Sequence, residues 1–120
     1  MDVGSCNGCE VEIGQAFGPV YDADRYGARL VASPRHADVL LVTGVVTHNM
    51  ADALENTVEA TPRPRVVIAI GDCAIDGGLL ADGFGVRGPV TEATHVDLVV
   101  PGCPPEPDAI VAALRQVTRR

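Results

Sequence analysis

The sequence predicts an α/β protein with a doubly wound, mainly parallel sheet. Three runs of apolar, β-branched residues are continuous rather than alternating, which is typical of strands buried on both faces. These runs occupy residues 37–44, 65–73 and 95–103, and glycine or Pro-Gly interrupts each one near its end. Amphipathic helical patterns fill the intervals between them. Such alternation of strands and helices favours a sheet with helices packed on both faces.

The length and composition predict one domain, residues 1–120, with an aliphatic core. Hydrophobic residues make up 47% of the 120 residues but aromatic residues only 3%, so Val, Ala, Leu and Ile must build the interior. Two further strands are predicted from weaker patterns. One is residues 29–33 (RLVAS), and the other is residues 2–3, as the last part of a strand.

Three helices are predicted from the spacing of apolar residues. The first covers residues 9–17, and the second lies within residues 48–61, with Thr47 or Asn49 as its N-cap. The third follows a cluster of prolines at residues 104–107, which suits a helix entry, and ends in arginines, which suit the negative end of the helix dipole. The apolar stripes are Met50, Ala53, Leu54, Thr57 and Val58 in the second helix, and Ile110, Ala113, Leu114 and Val117 in the third.

The charge and hydropathy of the chain disfavour two classes of partner. The net charge is −7, whereas binding to a nucleic-acid backbone requires a basic surface, so no nucleic-acid partner is expected. The longest strongly apolar stretch, residues 39–46, is far shorter than the ~20 residues of a membrane span. The first residues lack the basic and apolar regions of a secretion signal. We therefore expect a cytoplasmic chain, in which persistent disulfides are rare.

The four cysteines lie where the predicted strands end. Cys6 and Cys9 form a CxxC pair after residues 2–3, Cys73 follows the second apolar run, and Cys103 follows the third. Because the carboxyl ends of parallel strands share one edge of a sheet, and ligands bind at that edge, these loops are expected to meet.

Several uses of four converging cysteines are compatible with this spacing. A structural zinc site usually has two CxxC pairs, and this chain has one. Two disulfides fit the even count but not a cytosolic chain with an ample core. An iron–sulfur cluster takes four thiolates at varied spacing, and a Cys-Pro step such as Cys103-Pro104 recurs among its ligands. The spacing favours a cluster and leaves an interaction module stabilised by zinc on four cysteines, or unliganded thiols, as alternatives.

Four segments of the sequence also resemble one known family. They are GSCNGCE (4–10), SPRHADVLLVTGVVT (33–47), GDCAIDGG (71–78) and VPGCPPEPDAI (100–110). In this order they resemble the small subunit of energy-converting (group 4-type) [NiFe]-hydrogenases, formate hydrogenlyases and the NADH–quinone oxidoreductases of respiratory complex I. The resemblance covers nearly the whole chain. It implies a flavodoxin-like fold and one [4Fe-4S] cluster at the carboxyl edge of the strands, with Cys6, Cys9, Cys73 and Cys103 as its ligands.

The resemblance also implies a role and a set of partners. Such a subunit passes electrons between a ferredoxin-like subunit and a large catalytic subunit of hydrogenase-like or quinone-oxidoreductase-like type. Other subunits form a membrane arm, which places the chain peripherally on the inner face of the cell membrane. Quinone-reducing members usually carry two adjacent cysteines in the first motif. Here Gly8 stands at the first of those places, which is similar to the hydrogenase-type branch and leaves the quinone-reducing branch as the alternative.

Residues beside the cysteines are candidates for supporting roles. Gly4, Gly8, Gly71 and Gly102 are expected either to let the backbone approach a bulky cluster or simply to form turns. Asp72 is expected to cap its loop.

Two acidic residues follow Cys9, and they are expected to have different positions on the helix and different roles. Glu12 matches an acid that lies beside the cluster in the family. It shares a helix face with Cys9, three residues earlier, which makes it a candidate for redox-linked proton uptake. Glu10 is expected to be rotated by about 100° relative to Cys9 around the helix axis. The simpler interpretation of both is an acid that favours the helix N-terminus.

Overall fold

A three-stranded parallel sheet forms the centre of the fold. The computed structural model describes residues 1–119. Its strands are β1 (Val39–Thr43), β2 (Val46–Thr47), β3 (Val66–Ile70), β4 (Val86–Gly88) and β5 (Leu98–Val100). Its α-helices are α1 (Gly8–Ala16), α2 (His48–Ala60), α3 (Asp72–Asp76), α4 (Val90–Ala93) and α5 (Pro107–Thr118). The main sheet has the order β1-β3-β5, and β3 pairs in parallel with both neighbours. The three apolar runs are thus confirmed as strands.

The two weaker strand predictions have different outcomes. Asp2 forms an isolated parallel bridge with Thr43, and the amide of Val3 donates to the Thr43 carbonyl at 3.1 Å, so residues 2–3 extend the sheet beyond β1. The prediction of a strand at residues 29–33 is wrong. Leu30 and Val31 are exposed there and line a groove of about 580 Å³ beside β1, without pairing with that strand. Apolar composition alone does not establish that a segment pairs with a neighbouring strand.

Helices cover both faces of the sheet, as a doubly wound fold requires. Side chains that alternate along β1 and β3 point to opposite faces, and each face has its own apolar core. The core on the α2 side contains Val3, Leu40, Val42, Val46, Leu54, Val58, Val67, Ala69, Ala74 and Val90. The core on the α1 and α5 side contains Ala16, Ala23, Ile68, Ile70, Val100, Ile110, Val111, Ala113 and Leu114.

The predicted helices are confirmed, and their apolar stripes face the sheet. In α2 the buried residues are Leu54 and Val58, and in α5 they include Ile110 and Leu114. Prolines precede and begin α5, as expected. The helices are short: α2 has 13 residues and α5 has 12. Within residues 1–119, no helix has the length and apolar character that crossing a membrane would require.

A two-stranded antiparallel ribbon, β2 with β4, lies beside the main sheet. The sequence does not predict it, because strands of two and three residues leave no recognisable hydropathy pattern. Thr47 occupies the N-cap position of α2, which excludes Asn49 from that role. The Thr47 hydroxyl does not cap the helix but donates to the carbonyl of Val3 at 3.1 Å, which ties residues 2–3 to β2.

Replacing Leu54 by alanine tests the core between the sheet and α2. Leu54 is 2% exposed, so Leu54→Ala removes buried methyl groups and leaves a cavity. We expect the free energy of unfolding of the metal-free chain to fall by about 2–5 kcal/mol, measured by chemical denaturation. The control is Leu30→Ala, because Leu30 is 60% exposed; it is expected to change stability by about 0.5 kcal/mol or less. Equal losses in the two variants would contradict this description of the core.

Candidate metal centre at the strand edge

The loops after β3 and β5 are joined directly by hydrogen bonds. The amide of Gly71 donates to the carbonyl of Val100 at 2.8 Å. The amide of Asp72 donates to the carbonyl of Gly102 at 2.8 Å, and the amide of Gly102 donates back to Asp72 Oδ1 at 2.9 Å. Asp72 therefore connects two loops rather than capping only its own. As a result, the residues that follow, Cys73 and Cys103, lie on two loops that are held together.

The loop that carries the CxxC pair packs closely against the end of β1. A Cβ atom added to Gly44 would lie 2.4 Å from the amide nitrogen of Ser5, and one added to Gly4 would lie 2.5 Å from the carbonyl oxygen of Val45. Both glycines have positive φ, +86° for Gly44 and +149° for Gly4. Only glycine lets the two backbones approach this closely. The loop is thus fixed at the same edge as the other two.

The cysteine side chains lie close to the glycines and prolines of these loops. A Cβ on Gly71 would lie 2.6 Å from Cys9 Sγ, so Cys9 sits directly against the loop after β3. A Cβ on Gly8 would lie 3.6 Å from Cys6 Sγ and 3.8 Å from the Pro104 side chain, next to Cys103. Gly4 and Gly71 thus allow close approach between parts of the chain, and the expected approach of these glycines to a cluster stays a prediction. Gly102, by contrast, is required by its own turn, because a Cβ there would lie 2.5 Å from Cα of Pro105.

The electrostatics of the thiols reflect burial and mutual proximity. Burial, with smaller contributions from Glu10 and the other three cysteines, raises the pKa of Cys9 to about 11. Burial, followed by the charges of Cys103 and Cys6, also raises the pKa of Cys73. All four cysteines are free thiols.

The donor set at this edge fits an iron–sulfur group. It consists of four thiols, the ligand type that holds such clusters. Among residues 1–119, no three His, Cys, Asp or Glu side chains are placed to hold one metal ion together. A four-iron cluster binds each thiolate through a different iron, so its ligands are not required to converge on one ion. The absence of a side chain at Gly71 lets Cys9 Sγ lie against the loop after β3.

Glu10, rather than Glu12, is bound to the CxxC loop. The Ser5 hydroxyl donates to Glu10 Oε2 at 2.8 Å, and the Thr43 hydroxyl donates to Glu10 Oε1. These bonds were not predicted; they form because Ser5 folds back over the first turn of α1. The side chain of Glu12 is half-buried and makes no hydrogen bond or ion pair within residues 1–119. Its proton-linked role stays a prediction.

The sequence did not predict the group formed by Ser5, Thr43 and Glu10, in which Glu10 accepts the two hydroxyl hydrogen bonds. One signal was available. Thr43 is the polar residue that ends the otherwise apolar strand β1, and it is only 1% exposed. A buried hydroxyl needs a hydrogen-bond partner, which points to an acceptor nearby. The identity of that acceptor, 33 positions earlier in the chain, depends on tertiary packing.

The fold and the four-thiol edge define the class: an α/β protein that presents cysteines where parallel strands end. The chain matches the family described as the NADH ubiquinone oxidoreductase 20 Kd subunit over residues 6–117, a range that includes all four cysteines. It belongs to this family, and the resemblance seen in the sequence is confirmed.

Relatives in this family come from several kinds of complex. A probable membrane-bound hydrogenase subunit of Pyrococcus furiosus is 49% identical over 111 residues, covering 92% of this chain and 66% of that protein. Formate hydrogenlyase subunit 7 of Escherichia coli is 43% identical, and the match covers 91% of this chain and 43% of that protein. NAD(P)H-quinone oxidoreductase subunit K of a Picosynechococcus species is 42% identical, covering 93% and 46%. The chain therefore spans less than two thirds of the length of these three relatives.

Solved structures share the fold. A chain of the archaeal membrane-bound sulfane sulfur reductase superposes with a TM-score of 0.84 at 31% identity, covering 98% of this chain and 67% of that one. A chain of an NAD⁺-reducing [NiFe]-hydrogenase gives a TM-score of 0.77 at 22% identity, covering 98% and 88%. At that lower identity the likeness establishes the fold alone, and it confirms the predicted α/β class.

Replacing Gly71 by alanine tests the close approach between Cys9 and the loop after β3. Gly71 has φ +90°, and the new Cβ would meet Cys9 Sγ at 2.6 Å. We expect Gly71→Ala to lower the free energy of unfolding of the metal-free chain by about 2 kcal/mol, from the backbone conformation and the contact together. Denaturant titration provides the measurement.

The matched control for this substitution is Gly14→Ala. Gly14 lies inside α1 and has open space around its Cα, so alanine there should stabilise the chain by about 0.5–1 kcal/mol. If Gly71→Ala were as harmless as Gly14→Ala, the close packing at Cys9 would be disproved.

Proposed function

We propose that the chain is an electron-transfer subunit of a multisubunit oxidoreductase and that it holds one [4Fe-4S] cluster. The observation that carries the proposal is that a parallel sheet brings four free thiols, at Cys6, Cys9, Cys73 and Cys103, to one edge. A bound cluster takes up and releases one electron at a time. The chain supplies the thiolates, the partial burial of Cys9 and Cys73, and the backbone that surrounds them.

The relatives support an assignment to a hydrogenase-like complex. The Pyrococcus relative is named as a membrane-bound hydrogenase subunit and the Escherichia coli relative as a formate hydrogenlyase subunit. The proposed partners are a hydrogenase-like large catalytic subunit, a ferredoxin-like subunit that exchanges electrons with the cluster, and other subunits that form a membrane arm. In this proposal the chain is cytoplasmic and peripheral to the inner face of the cell membrane.

A second candidate is a quinone-reducing complex. It is favoured by the relative named NAD(P)H-quinone oxidoreductase subunit K, at 42% identity. The single CxxC pair with Gly8 between its cysteines, and the 49% identity to the hydrogenase subunit, favour the hydrogenase-like assignment instead. The large partner distinguishes the two, because a subunit that binds nickel brings two CxxC motifs of its own and a quinone-type partner lacks them.

Exposed apolar side chains near the cysteines support a large partner at this edge. Val11 is 60% exposed, two residues after Cys9. Leu79 is 91% exposed and directly follows Gly78, which lies against Cys73. Phe84 is fully exposed on the loop that precedes β4. Apolar surface of this kind marks contact sites, and burial is what controls the potential of a cluster and the access of solvent to it.

Replacing Cys103 by alanine tests the ligand set. In the purified complex we expect Cys103→Ala to abolish the [4Fe-4S] spectrum or convert the cluster to a three-iron form, because one thiolate is lost. The cluster is measured by visible absorption at ~400 nm, by electron paramagnetic resonance and by iron and sulfide analysis. Val99→Ala, at an exposed position in β5, is the control. An unchanged spectrum would remove Cys103 from the ligand set, and zinc without sulfide in the wild type would favour the zinc-stabilised module.

Charged substitutions in the exposed apolar loop test the large partner. If a larger subunit covers the edge with an obligate interface, roughly 2,000 Å² or more, then Leu79→Asp combined with Phe84→Asp should reduce its co-purification about tenfold or more. Leu30→Asp, on the groove beside β1, should leave co-purification unchanged. A cluster-loaded, air-tolerant monomer on size-exclusion chromatography would count against the proposed partner.

A further inference from the structure

The carboxylate of Glu10 joins three parts of the molecule. It belongs to the first turn of α1, directly after Cys9. It accepts hydrogen bonds from the hydroxyl of Ser5, the residue before Cys6, and from the hydroxyl of Thr43 at the end of β1. The Ser5 hydroxyl oxygen in turn accepts the amide of Asn7 at 3.0 Å. One side chain therefore connects the CxxC loop, the helix that follows it and the sheet.

We propose that Glu10 is the positioning residue of the CxxC loop: its carboxylate, bridging Ser5 and Thr43, holds Cys6 and Cys9 against the end of β1 in the arrangement that ligation requires. This inference rests on the proposed function, because it concerns how the thiols receive the cluster. It assigns to Glu10 a role that acts through the loop and not through contact with the cluster.

Backbone packing at Gly4 and Gly44 also holds this loop to the end of β1, but within residues 1–119 no other side-chain hydrogen bond connects the loop and α1 to the sheet. Asp2 Oδ1 accepts the amides of Gly4 and Ser5 at 2.9 and 2.7 Å, but these bonds shape the loop internally and do not reach α1. The Thr43 hydroxyl has one other acceptor, the carbonyl of Met1, at the long distance of 3.4 Å. The Glu10 carboxylate is the nearer of the two acceptors of the Thr43 hydroxyl.

The hydrogen bonds of Glu10 to Ser5 and Thr43 can be separated from its charge by one substitution. The bridge does not depend on the charge, because a glutamine amide at the same place both accepts from one hydroxyl and donates to the other. Glu10→Gln therefore separates the bridge from the charge, whereas Glu10→Ala removes both.

The first experiment measures how firmly the purified complex holds its cluster. Loss of the cluster to an iron chelator is followed by visible absorption, and the reduced cluster is recorded by electron paramagnetic resonance. We expect Glu10→Ala to lose the cluster about 10–100-fold faster than wild type, the range found when partners of metal ligands are removed, with a broadened resonance spectrum. Glu10→Gln should remain within about threefold of wild type. The control is Glu59→Ala, a carboxylate on the exposed surface of α2, which should match wild type.

The partners of Glu10 provide a second test in the same assay. Ser5→Ala and Thr43→Val each remove one hydroxyl donor from the bridge. If Glu10 acts through them, adding Thr43→Val to Glu10→Ala should accelerate cluster loss no further, because both changes break the same unit. Fully additive effects would overturn the proposal, and so would a Glu10→Gln variant as defective as Glu10→Ala.

A third measurement needs no cluster. Amide hydrogen exchange over residues 4–11 of the metal-free chain should be several-fold faster in Glu10→Ala than in wild type or Glu59→Ala, because the loop has lost its side-chain attachment to α1 and β1. If the wild type takes up no cluster but exchange still differs, the proposed function fails and the Glu10 bridge stands. If the cluster binds but Glu10→Ala behaves as Glu59→Ala in both assays, the bridge fails and the proposed function stands.

Discussion

Pairing of β3 with β1 and β5 in one direction is the interaction on which the rest of the structure depends. It places the carboxyl ends of the three strands, at Thr43, Ile70 and Val100, on one edge. Every loop that carries a cysteine leaves from or packs against that edge. In an antiparallel arrangement alternate loops would emerge at opposite ends of the sheet, and the cysteines of this sequence would be separated by the length of a strand.

At this edge of the sheet, backbone contacts and two carboxylates connect the loops that carry the cysteines. Glycines such as Gly44 and Gly71 let the chain approach itself where any side chain would intervene. Asp72 then links the loops of the two single cysteines, and Glu10 links the CxxC loop to the sheet. The two acids have equivalent structural roles, each accepting hydrogen bonds from a segment distant in sequence. The thiols themselves make none of these connections, so they stay available as ligands.

Much of the fold was predictable, because strands buried on both faces and amphipathic helices leave strong apolar patterns. The runs that became β1, β3 and β5 show this, and so does the stripe that α5 buries. Residues 29–33 have a similar composition but formed no strand, since composition carries no information about whether a partner edge is free. The ribbon of β2 and β4 was too short to leave a pattern. The hydrogen bonds of Glu10 could not be predicted, because helical geometry places a side chain but does not reveal which other segment of the chain folds onto it.

The convergence of the four cysteines has a consequence for the order in which contacts form during folding. Cys6 precedes all three strands of the main sheet in sequence, and the loop with Cys103 leaves β5, the last of those three strands. Contacts between such distant segments form late, because the entropy lost in closing a long loop must be offset before they contribute. An incomplete chain, however well its first helices form, therefore has no finished edge. The four cysteines therefore come together only after β1, β3 and β5 have paired.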